Sequence, residues 1–206
     1  MDDLGVIGQM SGVAVHDGWK PYRYSDVAHA LRNAHHLREL LAVGVGWDQG
    51  WANDLADLLR EAKHAVESAR ADGADHLDAA TLHSIRVRYG QLVARGFAAN
   101  PAPTIGKRAG YEKKAFNLLC RLDTQRADVL RFTVDFAVPF DNNQAERDIR
   151  MVKLQQKISG SWRTLAGARH FCAIRSYVST MRKHDADVLA SLRLLFEGQV
   201  WLPTRT

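Results

Sequence analysis

The stretch Trp47-Asp-Gln-Gly-Trp-Ala-Asn-Asp-Leu-Ala-Asp-Leu-Leu-Arg-Glu-Ala-Lys-His-Ala-Val-Glu-Ser-Ala-Arg-Ala71 reads as a helix. Trp51, Leu55, Leu58, Leu59, Ala62 and Val66 recur at three- and four-residue steps, which places them on one helical face. Gly73 punctuates the pattern, and Leu82, Ile85, Tyr89, Leu92 and Val93 predict a second helix from Asp78 to Phe97. Asn100-Pro-Ala-Pro-Thr-Ile-Gly106 is a loop. Helical patterns resume from Tyr111 to Leu122, and again from Thr124, read as a cap, to about Asp135. No strand pattern interrupts this series, so the middle of the chain is expected to be all helix.

Toward the N-terminus, Leu37, Leu40 and Leu41 mark a helix capped by Asn33 and broken at Gly44 and Gly46. Ser11-Gly-Val-Ala-Val-His-Asp17 reads as a short strand ending at a turn through Gly18, and Val27 to Arg32 as a second. Toward the C-terminus, Val138-Pro139-Phe140 is extended, because proline disfavours helix at the residue before it. Asp141-Asn-Asn143 offers capping chemistry for a helix through Ile149, Val152 and Lys153, ended by Gly160. Leu165 to Met181 and Val188 to Phe196 read as the last helices. The fold class is therefore mainly α with a few short strands.

Composition narrows the function. At 206 residues, 46% apolar and 25% charged, the chain suits one ordinary domain or two small ones and is not a disordered segment. No apolar run approaches the roughly 18 residues a membrane helix needs. The Met-Asp-Asp start has no signal-peptide character. Cys120 and Cys172 form no Cys-x-x-Cys pair, which suits a reducing, cytoplasmic setting, and the lack of a long apolar run leads us to expect no membrane partner. The net charge of +5 resides entirely in the last 66 residues, and Arg147 to Lys183 carries nine basic residues against the single acid Asp148. Such a stretch suits a phosphate backbone or, equally, a solvated helix face.

Within it, Glu146, Arg150, Lys153 and Lys157 follow helical steps of four, three and four and share one face. A carboxylate at the head of a basic face suits metal-assisted phosphodiester chemistry, the carboxylate holding Mg²⁺ and the cations the DNA. Asn143-x-x-Glu146 equally fits a capping box, and Glu146 with Arg150 a surface ion pair. His16-Asp17 closes the first strand, where α/β proteins place site residues, though Asp17 could instead cap the turn at Gly18. His35 and Glu39 share a helix face, but without a third ligand they read as surface or supporting residues. No phosphate loop, dinucleotide fingerprint or nucleophile elbow occurs.

Three blocks carry a family resemblance: Val15-His-Asp-Gly-Trp-Lys-Pro-Tyr22, His29-Ala-Leu-Arg-Asn-Ala-His-His-Leu-Arg-Glu-Leu40 and Pro139-Phe-Asp-Asn-Asn-Gln-Ala-Glu-Arg-Asp-Ile-Arg150. Gln156-Lys-Ile-Ser-Gly160 and Ile174-Arg-Ser-Tyr-Val-Ser-Thr-Met-Arg-Lys183 extend them. Together they resemble the transposases of the insertion-sequence-66 family. The resemblance implies a ribonuclease-H-like α/β nuclease core, here incomplete, with an Asp-Asp-Glu metal triad and an all-helical insertion before the glutamate helix. Residues 1–46 would be the core part with the second aspartate, 47–125 the insertion, and 126–206 the glutamate helix with basic C-terminal helices.

By the same resemblance the second aspartate falls on Asp17 and the glutamate on Glu146. Both would be catalytic metal ligands for two Mg²⁺ ions, with Mn²⁺ as a substitute. Arg147, Arg150, Lys153, Lys157 and Arg163 would hold DNA; His16, Trp19, His35, Asn142 and Asn143 would support the site. The implied partner is DNA, as transposon ends and target, together with self-association or association with an intact transposase. Arg32 departs from the cysteine usual before Asn-Ala-His. The family's first aspartate has no counterpart, because Asp2 and Asp3 lack its context. The expected function is thus transposition chemistry in a truncated, inactive form. A non-catalytic DNA-binding or transposase-associating module and a ribonuclease-H-like nuclease that is not a transposase are the alternatives.

Overall fold

Helix α2, Gly50–Ala71, organises the chain in a computed structural model that describes residues 12–18, 27–102, 110–142 and 162–203. Within 147–160 it describes residues 147, 150, 151, 154, 155, 157, 158 and 160. The α2 residues Trp51, Leu55, Leu58, Leu59, Ala62 and Val66 are all buried, as their spacing predicts. The helix starts three residues later than the sequence pattern suggests. The Trp47 N–H closes the preceding helix on the Val43 carbonyl, and Asp48 turns the chain at φ 50°.

The chain divides into two units, Met1–Asn142 and Asn143–Thr206. In the first, β1 (Val13–His16) pairs in parallel with β2 (Ala28–Leu31), Val13 opposite Ala28 and His16 opposite Leu31. There follow α1 (Asn33–Gly46), α2, α3 (Ala79–Ala99), α4 (Gly110–Thr124), the single turn α5 (Arg126–Val129) and a 3-10 turn at Arg131–Thr133. Helix α1 packs on α2, α2 on α3 and α3 on α4, while α5 lies against β2. The chain is thus mainly helical with two short parallel strands among its described residues, and none of its described helices is long and apolar enough to cross a membrane.

Three local expectations are corrected. Asn33 does not cap α1: the N-cap position is Arg32, and Asn33 is the first helical residue with its amide turned inward. Gly44 does not break α1; a Cβ there would lie 2.0 Å from Asn53 Oδ1, so the glycine serves a close approach to α2. Thr124 caps no following helix, because α4 runs through it and its hydroxyl donates to the Cys120 carbonyl at 2.7 Å. Beyond it, Val129, Leu130, Phe132, Thr133, Phe136 and Val138 are all buried. The chain reaches them through the single turn Arg126–Val129 and the 3-10 turn Arg131–Thr133 rather than one continuous helix.

A second close approach occurs at Gly96, where a Cβ would sit 2.4 Å from Leu119 Cδ2 and 3.0 Å from the Trp51 ring. Overpacking of roughly 1–3 kcal/mol then outweighs the ~1 kcal/mol helix-propensity gain of alanine. Gly96→Ala is expected to lower the urea midpoint, whereas Gly46→Ala, with open space around its Cβ, should leave it unchanged or raise it. Equal midpoints for the two variants would show that the α3 crossing is loose.

In the second unit, the described residues from 147 to 158 are helical, and α6 (Leu165–Lys183) and α7 (Val188–Phe196) follow. The side chains of Thr164 and Asp187 cap these two helices. Met181 is fully buried, and the Tyr177 hydroxyl donates to the Trp201 carbonyl at 3.2 Å.

Candidate active site

Parallel pairing brings the carboxyl ends of β1 and β2 to one edge, and Asp17 lies there, exposed. The next residue, Gly18, has φ 84°, a conformation glycine adopts without strain. Its N–H turns back to donate to His16 Nδ1 at 3.0 Å. That nitrogen is therefore an acceptor, and His16 Nε2–H donates to His29 Nδ1 at 3.1 Å, the rings meeting edge to face. With both nitrogens of the buried His16 engaged, what the turn presents is the Asp17 carboxylate.

The opposite edge of β1 is also occupied. His16 gives its carbonyl to the Arg32 N–H on the β2 side, so the Val15 carbonyl points the other way. There it accepts from Asn142 Nδ2 at 3.3 Å. The Asn33 N–H bonds to the Phe140 carbonyl at 3.1 Å, which fixes the chain approaching Asn142 from the α1 side.

A polar cluster on α1 and α4 flanks the same turn. Asn33 Nδ2 donates to the Val129 carbonyl at 2.9 Å, which leaves its Oδ1 to accept from His36 Nδ1 at 3.3 Å. Burial, with the Arg121 and His35 charges behind it, lowers the pKa of His36 from 6.5 to about 3. Arg121 on α4 pairs with Glu39 on α1, and His35 Nε2 lies 3.8 Å from the same carboxylate. Arg121 and Gln125 reach the Asp17–Gly18 turn itself: a Cβ on Gly18 would lie 3.9 Å from Gln125 Oε1 and 4.0 Å from Arg121 Cδ.

The family model described as "Transposase IS66 family" matches residues 4–170. The chain belongs to this transposase family. No curated protein and no solved structure matches it. In this IS66-family transposase the matched span holds Asp17, Glu146 and the basic residues from Arg147 to Arg169.

Of the residues the sequence nominates, the structure gathers His16, Asp17 and Asn142 around the end of β1 and places His35 on the neighbouring helix. Trp19, Asn143, Glu146 and Lys153 lie outside the described residues. Arg147, Arg150, Lys157 and Arg163 are exposed in the second unit. Among the described residues no group of three or more His, Cys, Asp or Glu side chains could hold a metal ion. The donor that β1 does offer is a hard carboxylate oxygen, the chemistry that suits Mg²⁺ or Mn²⁺.

Sequence reasoning missed His29, Arg121 and Gln125. His29 pairs with a residue 13 positions away on another strand, and Arg121 with one 82 positions away, so neither contact leaves a local pattern.

Proposed function

We propose that this transposase is of the Asp-Asp-Glu type, built on a ribonuclease-H-like core, with Asp17 and Glu146 as two of its three metal-binding carboxylates. The core would comprise residues 1–46 and 126–206, with 47–125 as the helical insertion. The observation that supports the reading best is the Asn142 hydrogen bond to Val15. It holds the chain, four residues before Glu146, against the strand that ends beside Asp17. A connection of four residues spans at most about 14 Å, so the reading requires no long connection between Asn142 and the proposed second carboxylate.

Asp17 and Glu146 would hold Mg²⁺, or Mn²⁺ in its place, and the metal would activate the attacking hydroxyl and stabilise the leaving oxygen at a phosphodiester. His16 fixes the turn that carries Asp17. Asn142 and Asn143 start the segment leading to Glu146, with Trp19 and His35 in support. Arg147, Arg150, Lys153, Lys157 and Arg163 would bind the backbones of transposon ends and target, which positions DNA without reading its sequence.

Before Asp17 these 206 residues contain only Asp2 and Asp3 as further aspartates, neither in the family's context. The 206-residue polypeptide by itself is therefore expected to bind DNA without joining it, and to act only with the missing carboxylate supplied, in cis or by an associated transposase. The test is Mg²⁺-dependent strand transfer by this polypeptide beside one extended upstream with the family's first-aspartate segment. Joining by the extended form alone, reduced to background by Glu146→Gln, is the expected result. Joining that survives Glu146→Gln would remove Glu146 from the chemistry.

A further inference from the structure

We propose that Arg121 is a phosphate-binding residue for the DNA strand held at Asp17, restrained by Glu39 until that strand arrives. The inference rests on the reading of Asp17 as part of the catalytic site. Arg121 in the last turn of α4 and Gln125 just beyond its end both lie against the glycine that follows Asp17. The ligand class is a phosphodiester oxygen.

Three observations on the described residues support it. Arg121 Nε and Gln125 Oε1 are buried without a hydrogen-bond partner, two unused polar positions four residues apart beside the same turn. Folded proteins leave few such groups, and those they leave call for a cause. Secondly, the Arg121–Glu39 pair is neither sealed nor open, with side chains 28% and 35% exposed, so a ligand can reach the guanidinium. Glu39 engages Arg121 through a single oxygen, Oε2, whereas a phosphate can offer the planar fork two oxygens at once. Thirdly, Glu39 has a second neighbour in His35, whose Nε2 lies 3.8 Å from its other oxygen and can turn a donor to it when Arg121 leaves. The other cross-helix ion pairs, Arg88–Glu61 and Arg95–Asp54, join the exposed faces of α2 and α3.

The experiment measures binding of the 206-residue chain to a short fluorescein-labelled DNA duplex in Mg²⁺ by anisotropy, across a salt series. Arg121→Gln should weaken binding several-fold and reduce the log–log salt slope by about one, the signature of one lost phosphate contact. Glu39→Gln should strengthen binding several-fold by releasing Arg121. Glu61→Gln makes the same change in net charge and frees Arg88 instead, so it should strengthen binding far less. Equal gains from Glu39→Gln and Glu61→Gln would overturn the proposal, as would an unchanged salt slope in folded Arg121→Gln. Should Arg121→Gln prove unfolded, the comparison of the two glutamate variants decides by itself. A triple variant, Arg150, Lys153 and Lys157 to alanine, separates the two readings. Loss of binding there with no effect at Arg121 removes this inference alone, whereas a wild-type chain without salt-dependent binding removes the proposed function as well.

Discussion

Replacing Asn33 by alanine is expected to destabilise the first unit by about 3 kcal/mol, the sum of two buried groups left unpaired. The residue is 1% exposed, and its amide serves the Val129 carbonyl and His36 Nδ1 at once. Water cannot replace either bond without opening the contact between α1 and α5. Asn33→Ser distinguishes this role from helix capping. Serine caps as well as asparagine does, but its hydroxyl is too short to reach both partners. A serine variant as unstable as the alanine variant in urea supports the buried tie. A serine variant near wild type would return Asn33 to the status of a cap.

Acid should weaken the fold through His36. Its imidazole takes a proton at about 6.5 when unfolded and only at about 3 when folded. Between those values the unfolded chain binds more protons, so stability rises with pH and is lost as pH falls from 6.5 toward 3. By pH 5 the gap of one and a half units corresponds to roughly 2 kcal/mol. His36→Gln should be less stable than wild type at pH 7.5 but should lose less on acidification, its slope of stability against pH smaller by up to one proton. Urea midpoints across that range measure it. Parallel slopes in the two proteins would mean that His36 is protonated in the native state or that its site opens first.

These two residues also mark how far the sequence could be read. Helix α2 was legible because one face of a long helix repeats its apolar residues locally, and the strand ending at His16 because β-branched residues cluster before a glycine turn. Asn33 stands just where a cap should stand, and only the approach of Val129, 96 positions away, turns its amide inward. Gly44 and Gly96 read as helix breakers or as nothing in particular until another helix lies on top of them. The place of Asp17 after a strand was legible in the sequence, but position alone left a turn cap and a site residue both open, and the match across most of the chain gives the family. Arg121 was not legible, since an arginine on an amphipathic helix carries no mark of what lies beyond its end.

Gly96 has a mechanical consequence. The Leu119 side chain and the Trp51 ring leave no room for a Cβ at this position, and packed interiors compress little. A methyl group added there would act as a wedge between α3 and α4. Leu119 is two positions before Arg121, so a wedge at Gly96 is expected to shift the end of α4 and, with it, the arginine beside the Asp17 turn.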